Sequence, residues 1–161
     1  MKLQISLALL LGASTLFANE SLITKAKNAG LEAIPSNKQV LMKLIDDPKD
    51  PITDSKVELG KKLYFDPRLS RSNLISCNTC HNLALGGADG VPAAIGHGWT
   101  ANPHHLNSPT VYNSVFFKAQ FWDGRSPHLA DQAQGPVQAG PEMAAPPSLV
   151  EERINSIPEY V

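Results

Sequence analysis

Cys77-Asn78-Thr79-Cys80-His81 decides how this chain is to be read. The run uses both cysteines of the 161 residues and one of the five histidines. In a C-x-x-C-H sequence the two thiols stand one helical turn apart, able to bond both vinyl groups of one porphyrin. The histidine that follows sets its imidazole beneath the iron as the proximal ligand. Other uses of the cysteines fit less well. A C-x-x-C redox pair expects a thioredoxin-like βαβ pattern, and none surrounds residue 77. A zinc site needs about four ligands, so the rest would have to be histidines. A disulfide across two intervening residues is strained and closes almost no loop. Covalent haem attachment through Cys77 and Cys80, with His81 on the iron, is the expectation.

Composition bounds the rest. The length suits one ordinary domain, and the formal net charge of −1 at pH 7 comes without a basic cluster, so nucleic acid is not expected as a partner. Aromatic residues are 6% of the chain, against 11 glycines and 13 prolines. Many of the latter follow residue 85, which predicts short helices, long structured loops and a cofactor that supplies part of the core. At the N-terminus Lys2 precedes the apolar run Leu3 to Phe17 and then Ala18-Asn19-Glu20. That order and length predict a secretory signal at residues 1–18, cut after Ala18 although Leu16 departs from the A-x-A pattern. No membrane span is expected once it is removed, and the compartment expected is the periplasm, since c-type haem is attached outside the cytoplasm.

Periodicity and capping chemistry predict an all-α chain. Ser21 to Leu31 and Lys38 to Ile45 read as amphipathic helices within an N-terminal segment, residues 19–58. Ser55 and Glu58 have capping-box spacing, and Val57, Leu59, Leu63 and Tyr64 form an apolar stripe that Asp66-Pro67 ends. Ser70 to Asn73 reads as a turn, and Leu85 to Gly98 as a loop that no helix crosses. Ser108-Pro109 and Ser126-Pro127 each predict a short helix. Ser148 and Glu151 predict a last one that ends near Ile157-Pro158.

Asp66-Pro67-Arg68-Leu69-Ser70, the haem motif with Asn82, Gly86-Gly87, Ile95-Gly96-His97-Gly98-Trp99, Phe121-Trp122-Asp123-Gly124-Arg125 and Gly135-Pro136 occur in that order. Together they resemble the N-terminal half of bacterial di-haem cytochrome c peroxidases, from about Leu59 to the end. The resemblance implies a cytochrome c-like haem domain at residues 59–161 carrying the peroxidatic haem. The family's second half, with another C-x-x-C-H and an electron-delivering haem, has no counterpart here, so the chain is expected to be the front part of a longer enzyme or a shortened product. Without that haem an isolated chain has no store for the second reducing equivalent.

The resemblance also implies residue roles. His97 matches a histidine that occupies the sixth iron position at rest and leaves on activation, and the glycines at 86, 87, 90, 96 and 98 offer its loop backbone freedom. Glu142 and Gln132 match the catalytic pair, one moving a proton between the peroxide oxygens and the other orienting peroxide. Trp122 matches the tryptophan on the electron route between haems, and Asn107 a residue that helps bind calcium. Met143 reads as a core methionine, though in an electron carrier it would serve as an iron ligand. His104, His105 and His128 read as surface residues.

The function expected is reduction of hydrogen peroxide to water with electrons from a small reduced cytochrome c, in an enzyme that pairs as a homodimer. The rival from another class is a mono-haem electron-transfer cytochrome whose iron stays six-coordinate. A related di-haem oxidase acting on a protein or organic substrate would use the same motif.

Overall fold

In a computed structural model the structure describes residues 22–104 and 106–160. The stretch expected to be an export signal, residues 1–18, and His105 lie outside the described residues. The chain divides into two compact units, Met1–Leu44 and Ile45–Val161. In the first, residues 22–28 are helical, and helix α1 follows at Lys38–Ile45, whose N-terminal N–H groups at Gln39 and Val40 donate to the Asn37 side chain at 2.9 and 3.1 Å. No helix among the described residues is long and apolar enough to cross a membrane.

The second unit carries α2 (Asp54–Phe65), the single turn α3 (Cys77–Cys80), α4 (Leu129–Gln138) and α5 (Pro147–Ser156), joined by 3-10 turns and loops. Among the described residues the only β pairing is two isolated bridges, Ile95 to Ala101 and Gln120 to Ser126. The fold is all-α, as expected. Its helix starts differ from the sequence reading in instructive ways. The cap of α2 is Thr53, whose hydroxyl accepts from Lys56 N–H at 3.2 Å, two residues ahead of the Ser55–Glu58 spacing. No helix begins at Ser108-Pro109, because Ser108 is buried with its hydroxyl turned to Asp89 and cannot cap. α4 starts at Leu129 with His128 as its cap, the ring Nδ1 accepting from Asp131 N–H at 3.3 Å, while Ser126 is spent on the Asp131 carboxylate. Pro146 precedes α5 without a side-chain cap, so the Ser148–Glu151 spacing caps nothing.

The core is small and lies where α2, α4 and α5 meet the segment after α2. Leu69, Ile75 and Met143 are buried together, with Leu63, Val137, Val150 and Ile154 against them. Each of the three contributes about 2 kcal/mol of apolar burial. Polar anchors fix the segment between α2 and α3. Buried Asp66 accepts from Arg68 N–H at 2.8 Å, from the Arg68 guanidinium at 2.8 to 3.0 Å and from Tyr160 Oη at 2.7 Å. Those bonds hold its pKa down at about 2, with Arg68 the main cause. From α5 the Arg153 guanidinium donates to the carbonyls of Arg68, Ser70 and Arg71. This platform presents α3 and the residues after it.

Candidate haem site

Both motif cysteines lie on one turn, α3, against α2, and both are free thiols, half-buried. Burial pushes the Cys77 thiol up, and burial with the carboxylates of Asp89 and Glu142 lifts Cys80 to about 11. His81 caps this turn. Its Nδ1 lies 2.9 Å from the carbonyl oxygen of Pro109, an arrangement in which Nδ1 carries the proton and Nε2 is left with its lone pair. The backbone around it is tied down. Tyr64 Oη donates to His81 O and Tyr112 Oη to Leu83 O, each at 2.5 Å. Thr110 Oγ1 donates to Gly86 O at 2.6 Å and Val111 N–H to Gly87 O at 3.2 Å. Gly87 permits this approach: its φ is +78°, and a Cβ there would stand 2.9 Å from Val111 N.

Residues 94–102 form a hairpin that carries His97 at its turn. Asn102 N–H donates to Ala94 O at 2.8 Å, Gly96 N–H to Thr100 O at 3.1 Å, and Trp99 N–H to Gly96 O at 2.9 Å. The tip rests on the chain after α4, where His97 N–H donates to Glu142 O at 2.8 Å. Gly96 makes that contact possible, since a Cβ on it would come within 1.8 Å of the Pro141 carbonyl oxygen. Its φ is not among the positive ones. So the expectation that this glycine supplies freedom is corrected: it supplies room for close docking, while Gly86, Gly87 and Gly90 do take positive φ.

Glu142 is therefore beside the hairpin. Its carboxyl pKa is raised by burial, partly offset by Arg125, His81 and a hydrogen bond from Asn102 Nδ2 at 3.4 Å. The residues after it fold back on α4, with Met143 N–H on Pro136 O at 3.1 Å and Ala145 N–H on Val137 O at 2.8 Å. Gln132 sits half-buried in α4, and its side chain makes no hydrogen bond among the described residues. Pro136, lacking an N–H, removes the helical bond to the Gln132 carbonyl. Thus the structure brings His97 and Glu142 together by a direct bond but links Gln132 to neither.

Phe121-Trp122-Asp123-Gly124-Arg125 is a tight loop closed by Gln120 N–H on Ser126 O at 2.8 Å. Arg125 stacks 3.4 Å over the Phe121 ring and pairs with Asp123, and that ring presses on Gly135, where a Cβ would meet it at 3.0 Å. Trp122 is 61% exposed and its indole donates to the Asn107 carbonyl at 3.0 Å. Trp99 is also exposed. Met143 is in the core, as expected, and His104 and His128 are exposed.

Do these residues fit a haem? The thiols share one turn, His81 is held in the tautomer an iron ligand needs, and Leu74, Leu83, Leu85, Leu106 and Phe116 of this unit remain exposed, apolar surface that no protein covers. They fit. A calcium ion fares differently. Asn107 is exposed with its carbonyl already engaged by Trp122, and no group of three or more His, Cys, Asp or Glu gathers among the described residues. The described residues by themselves do not gather such a cage.

The fold and motif place the chain in the all-α, cytochrome c-like class. A family model described as di-haem cytochrome c peroxidase matches residues 54–161. The cytochrome c551 peroxidase of Pseudomonas aeruginosa is 60% identical over 111 residues, covering 69% of this chain and 32% of that protein. That of Nitrosomonas europaea is 52% identical over 103 residues, covering 64% and 30%. Among solved structures, a MauG-like protein associated with microbial copper homeostasis superposes with a TM-score of 0.64 at 25% identity, over 71% of this chain and 34% of that one. The chain belongs to the di-haem cytochrome c peroxidase family. It spans about a third of the length of the curated relatives it matches.

Proposed function

We propose that this chain is the peroxidatic portion of an exported, periplasmic cytochrome c peroxidase, with residues 59–161 as its haem domain after a signal at 1–18 and a helical segment at 19–58. The observation that carries the reading is the 2.9 Å contact between His81 Nδ1 and the Pro109 carbonyl, beside two thiols on one helical turn. Haem c, when bound, supplies a redox-active iron at which hydrogen peroxide is reduced to water with electrons from a reduced cytochrome c. Cys77 and Cys80 would hold it through thioether bonds, and His81 would offer Nε2 to its iron as the donor that stays, with His97 as the one that would withdraw. Because its backbone is bonded to Glu142, its withdrawal and the placement of that carboxylate are coupled.

Glu142 would carry a proton from one peroxide oxygen to the other, the one that departs as water; two electrons and two protons in all balance H2O2 to two waters. Its raised pKa suits both halves of that exchange. Gln132 orients peroxide with an amide not engaged elsewhere. Trp122 belongs on the electron route into the site, in a protein that pairs as a homodimer, and the role of Asn107 toward calcium requires ligands from outside the described residues. Burial of Met143 between Leu69 and Ile75 speaks against the carrier reading in which it binds iron.

Glu142→Ala tests the proposal. In a complete, haem-loaded enzyme the haem content should be unchanged while peroxide turnover falls about a hundredfold or more. Wild-type turnover in that variant removes Glu142 from the mechanism.

A further inference from the structure

Asn102 is a buried polar residue, 7% exposed, and three of its hydrogen-bonding groups have separate uses. The backbone N–H closes the neck of the hairpin on Ala94 O at 2.8 Å. The side-chain Oδ1 accepts from His104 N–H at 3.0 Å and turns the chain away from the hairpin. The Nδ2 amide donates to Glu142 Oε1 at 3.4 Å. Two of these bonds shape a loop. The third does nothing for the loop and reaches a carboxylate forty positions along the sequence.

We propose that Asn102 is a positioning residue for Glu142, holding one carboxylate oxygen against the neck of the His97 hairpin so that the other faces the substrate. The inference rests on the acid–base reading of Glu142 given above. Three points then join the hairpin to this one residue and its neighbour: Asn102 Nδ2 on the carboxylate, His97 N–H on the Glu142 carbonyl, and Gly96 against the Pro141 carbonyl. The backbone bond fixes where Glu142 is; the amide fixes how its side chain turns. At 3.4 Å the bond is longer than the usual range of about 2.7 to 3.2 Å, weak enough to restrain the carboxylate while leaving it free to rotate through a proton transfer.

Substitutions separate this role from loop building. Asn102→Asp keeps an oxygen for His104 N–H and the backbone bond to Ala94, but replaces the donor facing Glu142 with another acceptor. Asn102→Ala removes both side-chain bonds. If Asn102 only shapes the loop, the Asp variant turns over peroxide as the wild type does and the Ala variant alone is impaired. With both substitutions made in the complete, haem-loaded enzyme, kcat is expected to fall about tenfold, the effect of losing one hydrogen bond to a charged group, with KM for hydrogen peroxide unchanged. The melting temperature of the Asp variant should be unchanged, and its crystal structure should show the Glu142 carboxylate turned away with the hairpin in place. Wild-type kcat in Asn102→Asp with the carboxylate unmoved overturns the proposal. Glu142→Ala measured beside it keeps the two readings apart. If that variant retains full turnover the acid–base reading fails, and the carboxylate's position in the Asp variant alone decides the case for Asn102.

Discussion

The two histidines proposed for the iron are held in opposite ways. His81 follows a helical turn that packs on α2, and its ring is bonded to a backbone carbonyl. The residues around it are fastened by Tyr64, Tyr112 and Thr110, three side chains from two separate parts of the chain. His97 sits at the turn of a hairpin that is stitched to itself and meets the rest of the unit at its tip, on Pro141 and Glu142. It is also held at a few points along its arms, through Asn102 on the Glu142 carboxylate, Cys80 Sγ on Ile95 O and Ala94 N–H on Leu106 O. One ligand is part of the platform. The other belongs to a small body with its own internal bonds, which is proposed to lift as one piece. A fixed donor and a releasable donor need not differ in chemistry. They differ in what their backbones are tied to.

The largest effect should come from the hairpin tip. Gly96→Ala places a methyl 1.8 Å from the Pro141 carbonyl oxygen if nothing moves, so the hairpin must lift from its seat. A cost of about 3 kcal/mol in urea unfolding is expected, together with faster proteolysis inside residues 94–102. A variant with wild-type stability and protection would mean that the tip is not seated as described, and the contrast would collapse.

Acid should act on the other region first. The Asp66 pKa is about 2 in the folded chain against an ordinary 3.8. Because the folded value is the lower one, its stabilisation is fully present above the ordinary value and is lost as pH falls from there through about 2. The amount is on the order of 2 kcal/mol. Unfolding measured from pH 5 to pH 2 should show this loss in the wild type and a smaller one in Asp66→Asn. An identical acid profile for the two would remove Asp66 from the support beneath the motif.

Much of this was legible before the fold was known. The C-x-x-C-H run identifies its own chemistry because covalent attachment demands fixed spacing, and α1 and the end of α2 follow from periodicity and from Asp66-Pro67. The helix starts were less legible, since Thr53, His128 and Pro146 occupy cap positions that nearby Ser-x-x-Glu or Ser-Pro patterns seemed to claim. Capping depends on where a side chain is free to turn, and Ser108 and Ser126 are engaged elsewhere. The supports of the site were not legible at all. The Pro109 carbonyl, Tyr64 and Asn102 act across 28, 17 and 40 positions, and nothing in their local sequence marks them. Tyr64 was visible only as part of an apolar stripe; its hydroxyl donates to the His81 carbonyl. Gly96 shows the same limit, because a loop rich in glycine can be loose or can be closely docked.

The account turns on His97 being the ligand that can leave while His81 cannot, and axial ligation in haem-loaded variants tests that most directly. Resting spectra and cyanide binding should be compared in wild type, His97→Gly and His81→Gly. His97→Gly should shift the resting protein from low to high spin and bind cyanide at once, without loss of the tethered haem. A resting spectrum and cyanide binding in His97→Gly identical to those of the wild type would contradict the account.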